Sequence, residues 1–172
     1  MHDRSRFPAA CAAAVGFLAL TALPQSAHAN PNMVGFGGYS AGTIVVKTNE
    51  RRLYLVVDGQ HALSYPVGVG KAGKQWQGTS HIDGKYVKPA WSPPAEVKRD
   101  KPSLPDVIPG GTPQNPMGVA AMTLAGTEYA LGTNMPGSIG GFVSYGCIRM
   151  YNADVLDLYN RVGWGTTVVV TR

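Results

Sequence analysis

Hydrophobic residues along the chain fall mostly into short runs with a strand-like beat, and one later stretch carries a helical beat. Thr43–Lys47 (TIVVK), Arg52–Val57 (RLYLVV) and Ala62–Val69 (ALSYPVGV) are β-branched and aromatic runs. The breaks between them, Thr48-Asn49-Glu50 and Asp58-Gly59-Gln60, are of hairpin type, so the three predict a meander of short strands. Ser80–Val87 is a weaker strand candidate. Strands resume at Ala120–Leu124 and Glu128–Leu131, and Thr166–Thr171 (TTVVVT) forms another. In the helical stretch Val155, Leu158, Tyr159 and Val162 fall at i, i+3, i+4 and i+7. Asn152 is the candidate N-cap, Asp154 sits in the first turn and Gly163 ends the pattern. That stripe reads as core-facing, and the class that emerges is mainly β with one short helix.

Three segments lack either period. Asn30–Gly42, rich in Gly and Asn, is expected to be a mobile lead-in, with residues 30–41 outside the fold and 42–172 forming one domain. Lys88–Met117 is Pro-rich, too polar and too broken for regular structure; a loop of that length in a compact domain is expected to act as a lid or binding wall. At the N-terminus, Arg4 and Arg6 precede an apolar run from Ala9 to Leu23, and Ser26-Ala27-His28-Ala29 supplies small residues suited to cleavage. Residues 1–29 therefore read as an export signal. Pro24 interrupts the run short of the roughly 18 to 20 residues that span a bilayer, so no stable membrane anchor is expected.

Composition sharpens this picture once the leader is set aside. The sequence has 172 residues with 15 basic and 10 acidic side chains; taking away Arg4, Arg6 and Asp3 leaves 13 and 9, a net charge of +4. The basic residues are dispersed, without the arginine clustering or interleaved aromatics of a nucleic-acid surface, so that class is discarded. Of two cysteines, Cys11 belongs to the leader and Cys147 remains alone. An exported protein usually pairs its cysteines or lacks them, so an unpaired one is a reactive thiol, an intermolecular bridge or a buried inert side chain. One cysteine with two distant histidines, His61 and His81, has no metal-ligand spacing, and neither a metal nor another cofactor is expected.

Ordered motifs then narrow the field: Leu53-Tyr54-Leu55-Val56 before a hairpin, Tyr65-Pro66-Val67-Gly68-Val69-Gly70-Lys71, Pro89-Ala90-Trp91-Ser92-Pro93-Pro94, Asn115-Pro116-Met117-Gly118, Gly132-Thr133-Asn134, Ser138-Ile139-Gly140 and Ser144-Tyr145-Gly146-Cys147-Ile148-Arg149-Met150. From about Gly42 to Arg172 the chain resembles the L,D-transpeptidases of the YkuD type, in particular the short periplasmic forms of Gram-negative bacteria. The resemblance implies a β-sandwich-like catalytic domain acting on peptidoglycan stem peptides, donor and acceptor, in the periplasm, with its short helix after the catalytic loop. It implies that Cys147 attacks the carbonyl of the bond after a diaminopimelate residue, expels D-alanine, and passes the acyl group to an amine of a second stem. Backbone N–H groups at Gly146 and Cys147 are candidates for the oxyanion hole, with Tyr145 and Ser144 beside them. Arg149 is a candidate for a substrate carboxylate or for fixing the loop. Trp91 is a candidate groove wall or a loop-packing residue, and Asn134 and Ser138 orient substrate or cap a turn.

One position departs from the resemblance. Related chains carry a proton-accepting histidine immediately before Gly-Thr-Asn, where this sequence has Leu131, and many carry another where it has Tyr145. His61 adjoins the Asp58-Gly59-Gln60 turn and reads as a surface residue. His81, in the Gly78-Thr79-Ser80-His81-Ile82 stretch before the Trp91 segment, is the candidate base; the alternatives are a strand histidine without catalytic duty, a thiolate stabilised locally, or a proton relay from Tyr145 through the substrate amine. Two functions stay open: an active transpeptidase, including a noncanonical L-alanine to diaminopimelate linkage or side carboxypeptidase and D-amino-acid exchange, and a degenerate wall-binding or scaffold protein. The oligomeric state is not legible.

Overall fold

A computed structural model describes residues 31–132 and 135–172. The leader and Asn134 therefore lie outside the described residues. Ten strands and two helices follow in order: β1 (Asn32–Gly35), β2 (Ile44–Lys47), β3 (Arg52–Val56), β4 (His61–Pro66), β5 (Val69–Gly70), β6 (Gly78–Val87), α1 (Ala95–Asp100), β7 (Ala120–Leu124), β8 (Ala130–Leu131), β9 (Phe142–Ser144), α2 (Asn152–Arg161) and β10 (Thr167–Thr171). A 3-10 turn, Pro136–Ser138, precedes β9.

Eight strands form one sheet in the order β1-β4-β3-β2-β10-β6-β7-β8, and β5 pairs separately with β9. The predicted meander is β2-β3-β4, antiparallel throughout. Its turn at Asp58 is built by the side chain, whose Oδ1 accepts the N–H groups of Gln60 and His61, both at 2.8 Å. Ile44, Val45 and Val46 of β2 are all fully buried, as an unbroken apolar run predicts for a strand covered on both faces. In β10 buried Val168 and Val170 alternate with less buried neighbours. β6 changes partner along its length. Residues 78–81 pair with β10, while 82–87 pair with β7 after an irregularity at Ile82/Gly84. Such a bulge bends a strand and lets it pass from one layer to the next, which gives the mainly β, sandwich-like architecture its second layer.

Four expectations change. Residues 30–42 are not merely a lead-in: β1 pairs antiparallel with β4, and Phe36 stacks on Tyr54 with centroids 4.4 Å apart. Edge pairing and ring stacking hold this short stretch without a hydrophobic period. Lys88–Met117 is not devoid of regular structure, since α1 forms within it. Trp91 and Ile108 also exchange backbone hydrogen bonds at 2.9 and 2.8 Å, and buried Asn115 donates to the carbonyls of Pro89, Ile108 and Pro109. A single asparagine therefore supplies the polar core that ties this loop. The strand expected at Glu128–Leu131 contracts to Ala130–Leu131. The N-cap of α2 is Tyr151, with no side-chain cap bond, rather than Asn152. Its core stripe is as expected: Val155 and Leu158 are buried, and the helix packs on β7. Among the described residues no helix is long and apolar enough to cross a membrane.

Candidate active site

Cys147 lies on a loop that backbone hydrogen bonds sew down on both sides. Upstream, Ser144 ends β9, and its carbonyl accepts the Lys71 N–H at 2.9 Å just after β5. Downstream, the Ile148 N–H donates to Ala130 O at 3.0 Å and the Gly132 N–H to Ile148 O at 3.1 Å. Arg149 and Gly68 exchange both of their backbone bonds, at 2.8 and 2.9 Å. The nucleophile candidate therefore sits between two pinned ends, on structure that costs little to hold still during a reaction.

The loop itself is held from within and from below. The Ser144 hydroxyl donates to Cys147 O at 2.6 Å and accepts the Gly146 N–H at 3.1 Å. The Trp76 Nε1–H donates to Gly146 O at 3.0 Å, and the Trp76 ring stacks on Tyr129 with centroids 5.5 Å apart. Gly146 has φ 129°, a left-handed value that favours glycine, and its open side faces the Tyr129 ring. Tyr145 points the other way, where its hydroxyl donates to Asp100 Oδ2 at 2.6 Å.

Above this loop is a groove of about 680 Å³, walled by Trp91, Pro93, Pro94 and Val97 on one side and by Tyr129, Ala130 and Gly132 on the other. Cys147, Ser144, Tyr145 and Arg149 line it as well. The expected loop residues and Trp91 are thus brought together. Cys147 is a free thiol, and burial pushes its pKa above the ordinary thiol value. Backbone hydrogen bonds from Ala130 and from Cys147 itself, together with the Arg149 charge, work in the opposite direction. Arg149 is half-buried, its pKa is lowered by that burial, and no carboxylate among the described residues pairs with it. A desolvated, unpaired guanidinium beside a thiol is suited to an anionic substrate group.

Two expectations about the site are corrected. His81 is not brought to the groove. Its neighbour on β6, Ile82, is fully buried, so strand alternation turns His81 outward to solvent, opposite Thr167 and beyond β7 and β8 from the cysteine. His61 is on the surface, as expected, with Nδ1 3.0 Å from Asp58 Oδ1. Among the described residues no histidine lines the groove. Secondly, the Gly146 N–H is already directed at the Ser144 hydroxyl, so neither is free to act as an oxyanion donor. Leu131 is fully buried in the core beside Met122 and Ile148, while its neighbours Ala130 and Gly132 line the groove. Trp76, Tyr129, Asp100 and Lys71 were not anticipated. A lone tryptophan in the polar stretch Lys74-Gln75-Trp76-Gln77 was the one available signal, because a large ring seldom occurs there without something to pack on.

Comparison with known proteins agrees with this geometry. The family described as YkuD, L,D-transpeptidase catalytic domain, matches residues 41–170. The probable L,D-transpeptidase YbiS of Escherichia coli K12 is 37% identical over 135 residues, covering 73% of this chain and 43% of that protein. The putative L,D-transpeptidase YkuD of Bacillus licheniformis is 36% identical over 129 residues, covering 74% and 64%. The chain thus spans less than half the length of YbiS. Among solved structures, an L,D-transpeptidase from Mycobacterium smegmatis superposes with a TM-score of 0.60 at 19% identity, covering 76% of this chain and 58% of that one, a likeness of fold alone. A Brucella melitensis protein described as a probable carnitine operon oxidoreductase is 41% identical, with a TM-score of 0.55 and coverage of 83% and 93%.

Proposed function

The chain belongs to the YkuD family of L,D-transpeptidase catalytic domains, and from that premise we propose that it cross-links peptidoglycan stem peptides in the periplasm through a thioester on Cys147. The observation that carries the reading is the free thiol in a peptide-sized groove with, two residues away, a guanidinium that no carboxylate among the described residues pairs. In the first half-reaction the thiol gives its proton to solvent and the thiolate attacks the diaminopimelate carbonyl of the bond to D-alanine. The carbon–nitrogen bond breaks, and the D-alanine amine takes up a proton from solvent as it leaves. In the second, an acceptor amine attacks the thioester, the carbon–sulfur bond breaks, and Cys147 is regenerated.

With no histidine among the described residues lining the groove, the thiolate relies on local stabilisation by Arg149 and by the backbone N–H groups of Ala130 and Cys147. The Cys147 N–H is the oxyanion donor left once Gly146 is committed to Ser144. Arg149 holds a stem carboxylate, and Trp91 forms the wall against which the peptide lies. Asn134, between β8 and the 3-10 turn, orients the stem.

The test is to incubate a purified disaccharide-tetrapeptide with the protein and with Cys147→Ala, and to follow linked dimers and released D-alanine by mass spectrometry. Cys147-dependent dimers are expected, and fragmentation of the dimer assigns the linkage. Absence of any Cys147-dependent product would overturn the reading. A second reading, a wall-binding protein without catalysis, is favoured by one observation, the burial that disfavours the thiolate. It predicts retention of the protein on purified sacculi with no product.

A further inference from the structure

The wall of the groove that carries α1 is fastened to the cysteine loop by a small polar cluster in which Asp100, outside the sequence motifs, meets Tyr145 and Lys71. Tyr145 donates its hydroxyl hydrogen to Asp100 Oδ2 at 2.6 Å. The Lys71 ammonium lies 3.7 Å from the same oxygen and 3.8 Å from the centroid of the Tyr145 ring, a cation–π distance. One helical turn earlier Glu96 pairs with Lys74. Glu96 and Asp100 stand at i and i+4, hence on one face of α1, and that face meets Lys71 and Lys74 on the segment between β5 and β6.

Apolar packing does little of this docking. The helix has six residues and only Val97 is buried, so it is too short to persist alone and has one core contact to hold it. Pro93, Pro94, Glu96, Val97, Lys101 and Leu104 all line the groove, so any displacement of α1 widens the approach to the sulfur. The fastening point on the loop is Tyr145, two residues before the nucleophile. It therefore couples the position of the wall to the posture of the thiol.

We propose that Asp100 is a positioning and selectivity residue: by holding Tyr145 and Lys71 it docks α1 on the cysteine loop, sets the width of the groove at Cys147, and admits a slender extended peptide while refusing bulkier chains. In its substrate the proposal rests on the transpeptidase reading. In its statement about access to the sulfur it does not. Hydrogen bonds and ion pairs at this level of exposure shift an equilibrium by about threefold, which sets the scale of the effect.

The experiment compares the native chain with Asp100→Ala, Tyr145→Phe, the double variant and Asp100→Glu. Second-order alkylation rates of Cys147 are measured with a small reagent, iodoacetamide, and a bulky one, fluorescein maleimide. The bulky-to-small ratio is expected to rise about threefold in each of the two single variants and in the double one no further than in Asp100→Ala, because the bond that Tyr145→Phe removes is already lost there. Asp100→Glu restores part of the native ratio, and near-ultraviolet circular dichroism verifies that each variant is folded. With tetrapeptide donor, KM rises by a similar factor while kcat falls less. A ratio equal to the native one in every variant, or effects that multiply in the double variant, would overturn the proposal. A ratio that rises in a protein forming no cross-links leaves the gate standing and removes the transpeptidase reading; cross-linking with an unmoved ratio does the reverse.

Discussion

The Tyr129 ring fills the space into which a side chain at residue 146 would project: a Cβ built on Gly146 falls within the van der Waals envelope of Tyr129 Cε1, Cζ and Cδ1. The ring is in turn backed by Trp76, whose indole N–H holds Gly146 O. Glycine is therefore required twice at this position, for its φ of 129° and for the proximity of the ring. Gly146→Ala is expected to cost about 2 kcal/mol or more and to lower the melting temperature by several degrees. A change within about 1 °C in a thermal scan would contradict that account of the loop.

Arg149 acts on the thiol through charge. Replacing it with methionine removes the cation that opposes the effect of burial, so the Cys147 pKa rises further and the pH profile of iodoacetamide alkylation moves to higher pH. Arg149→Lys keeps the charge and leaves most of the alkylation profile in place. It loses the bidentate grip on a carboxylate, and kcat/KM for the tetrapeptide falls about tenfold or more. Equal alkylation profiles in the native and methionine proteins would remove the guanidinium from the account of the thiolate.

Two carboxylates one turn apart on α2 respond to pH with opposite signs. Asp157 accepts two bonds from Arg161, at 2.9 Å each, and one from the Tyr65 hydroxyl at 2.7 Å, so its pKa lies below the usual carboxylate range, with the arginine the largest cause. Its contribution to stability is complete above the unfolded pKa of roughly 3.9 and is lost as pH falls through the lowered folded value. Asp154 is buried without a cation, and burial raises its pKa. The folded state then binds that proton more tightly than the unfolded one, and stability falls as pH rises above roughly 3.9. Asp157→Asn should lower the melting temperature at pH 7, and Asp154→Asn should raise it. In a series of thermal scans the Asp154 difference shrinks toward zero as pH falls below roughly 3.9, and the Asp157 difference shrinks only as pH falls on through its lowered folded value.

Leu131→His tests what the residue before Gly132 does in this chain. The side chain there is buried among Met122, Ile148 and other apolar residues. An imidazole in that space is left without evident partners and costs about 2 kcal/mol or more. The variant is expected to melt lower and to alkylate no faster at neutral pH. Faster alkylation would mean that the ring turns into the groove.

The strand order could not be read from the sequence, but most of the strands could, because alternating apolar runs bounded by Asp-Gly and Asn-Glu breaks report local burial directly. The cysteine loop was legible for a different reason: a lone thiol between Gly146 and Ile148-Arg149 is distinctive in residue type and order. What stayed hidden depends on contacts between distant segments. His81 stands in a plausible order along the chain, yet the parity of β6, fixed by buried Ile82, turns it outward. β1 carries no amphipathic signal, since its pairing with β4 uses backbone groups that every sequence possesses. Asp100 and Lys71 are ordinary surface residues in the sequence, and only the approach of α1 to Tyr145 gives them a role.

The strand β10 lies in the middle of the eight-stranded sheet, with Val168 opposite Ile44 in parallel pairing on one side and Ser80 on the other. Until residues 167–171 arrive, β1-β4-β3-β2 and β6-β7-β8 are two sheets with raw inner edges and no seam. Bringing Val168 to Ile44 closes a loop that spans nearly the whole domain, a slow search by the ordinary relation between contact order and folding rate. During that search the open edges of β2 and β6 are templates for pairing with other chains. Placing β10 thus ends the period of exposure, and the time a folding molecule spends at risk of aggregation is set by how quickly that strand finds its slot.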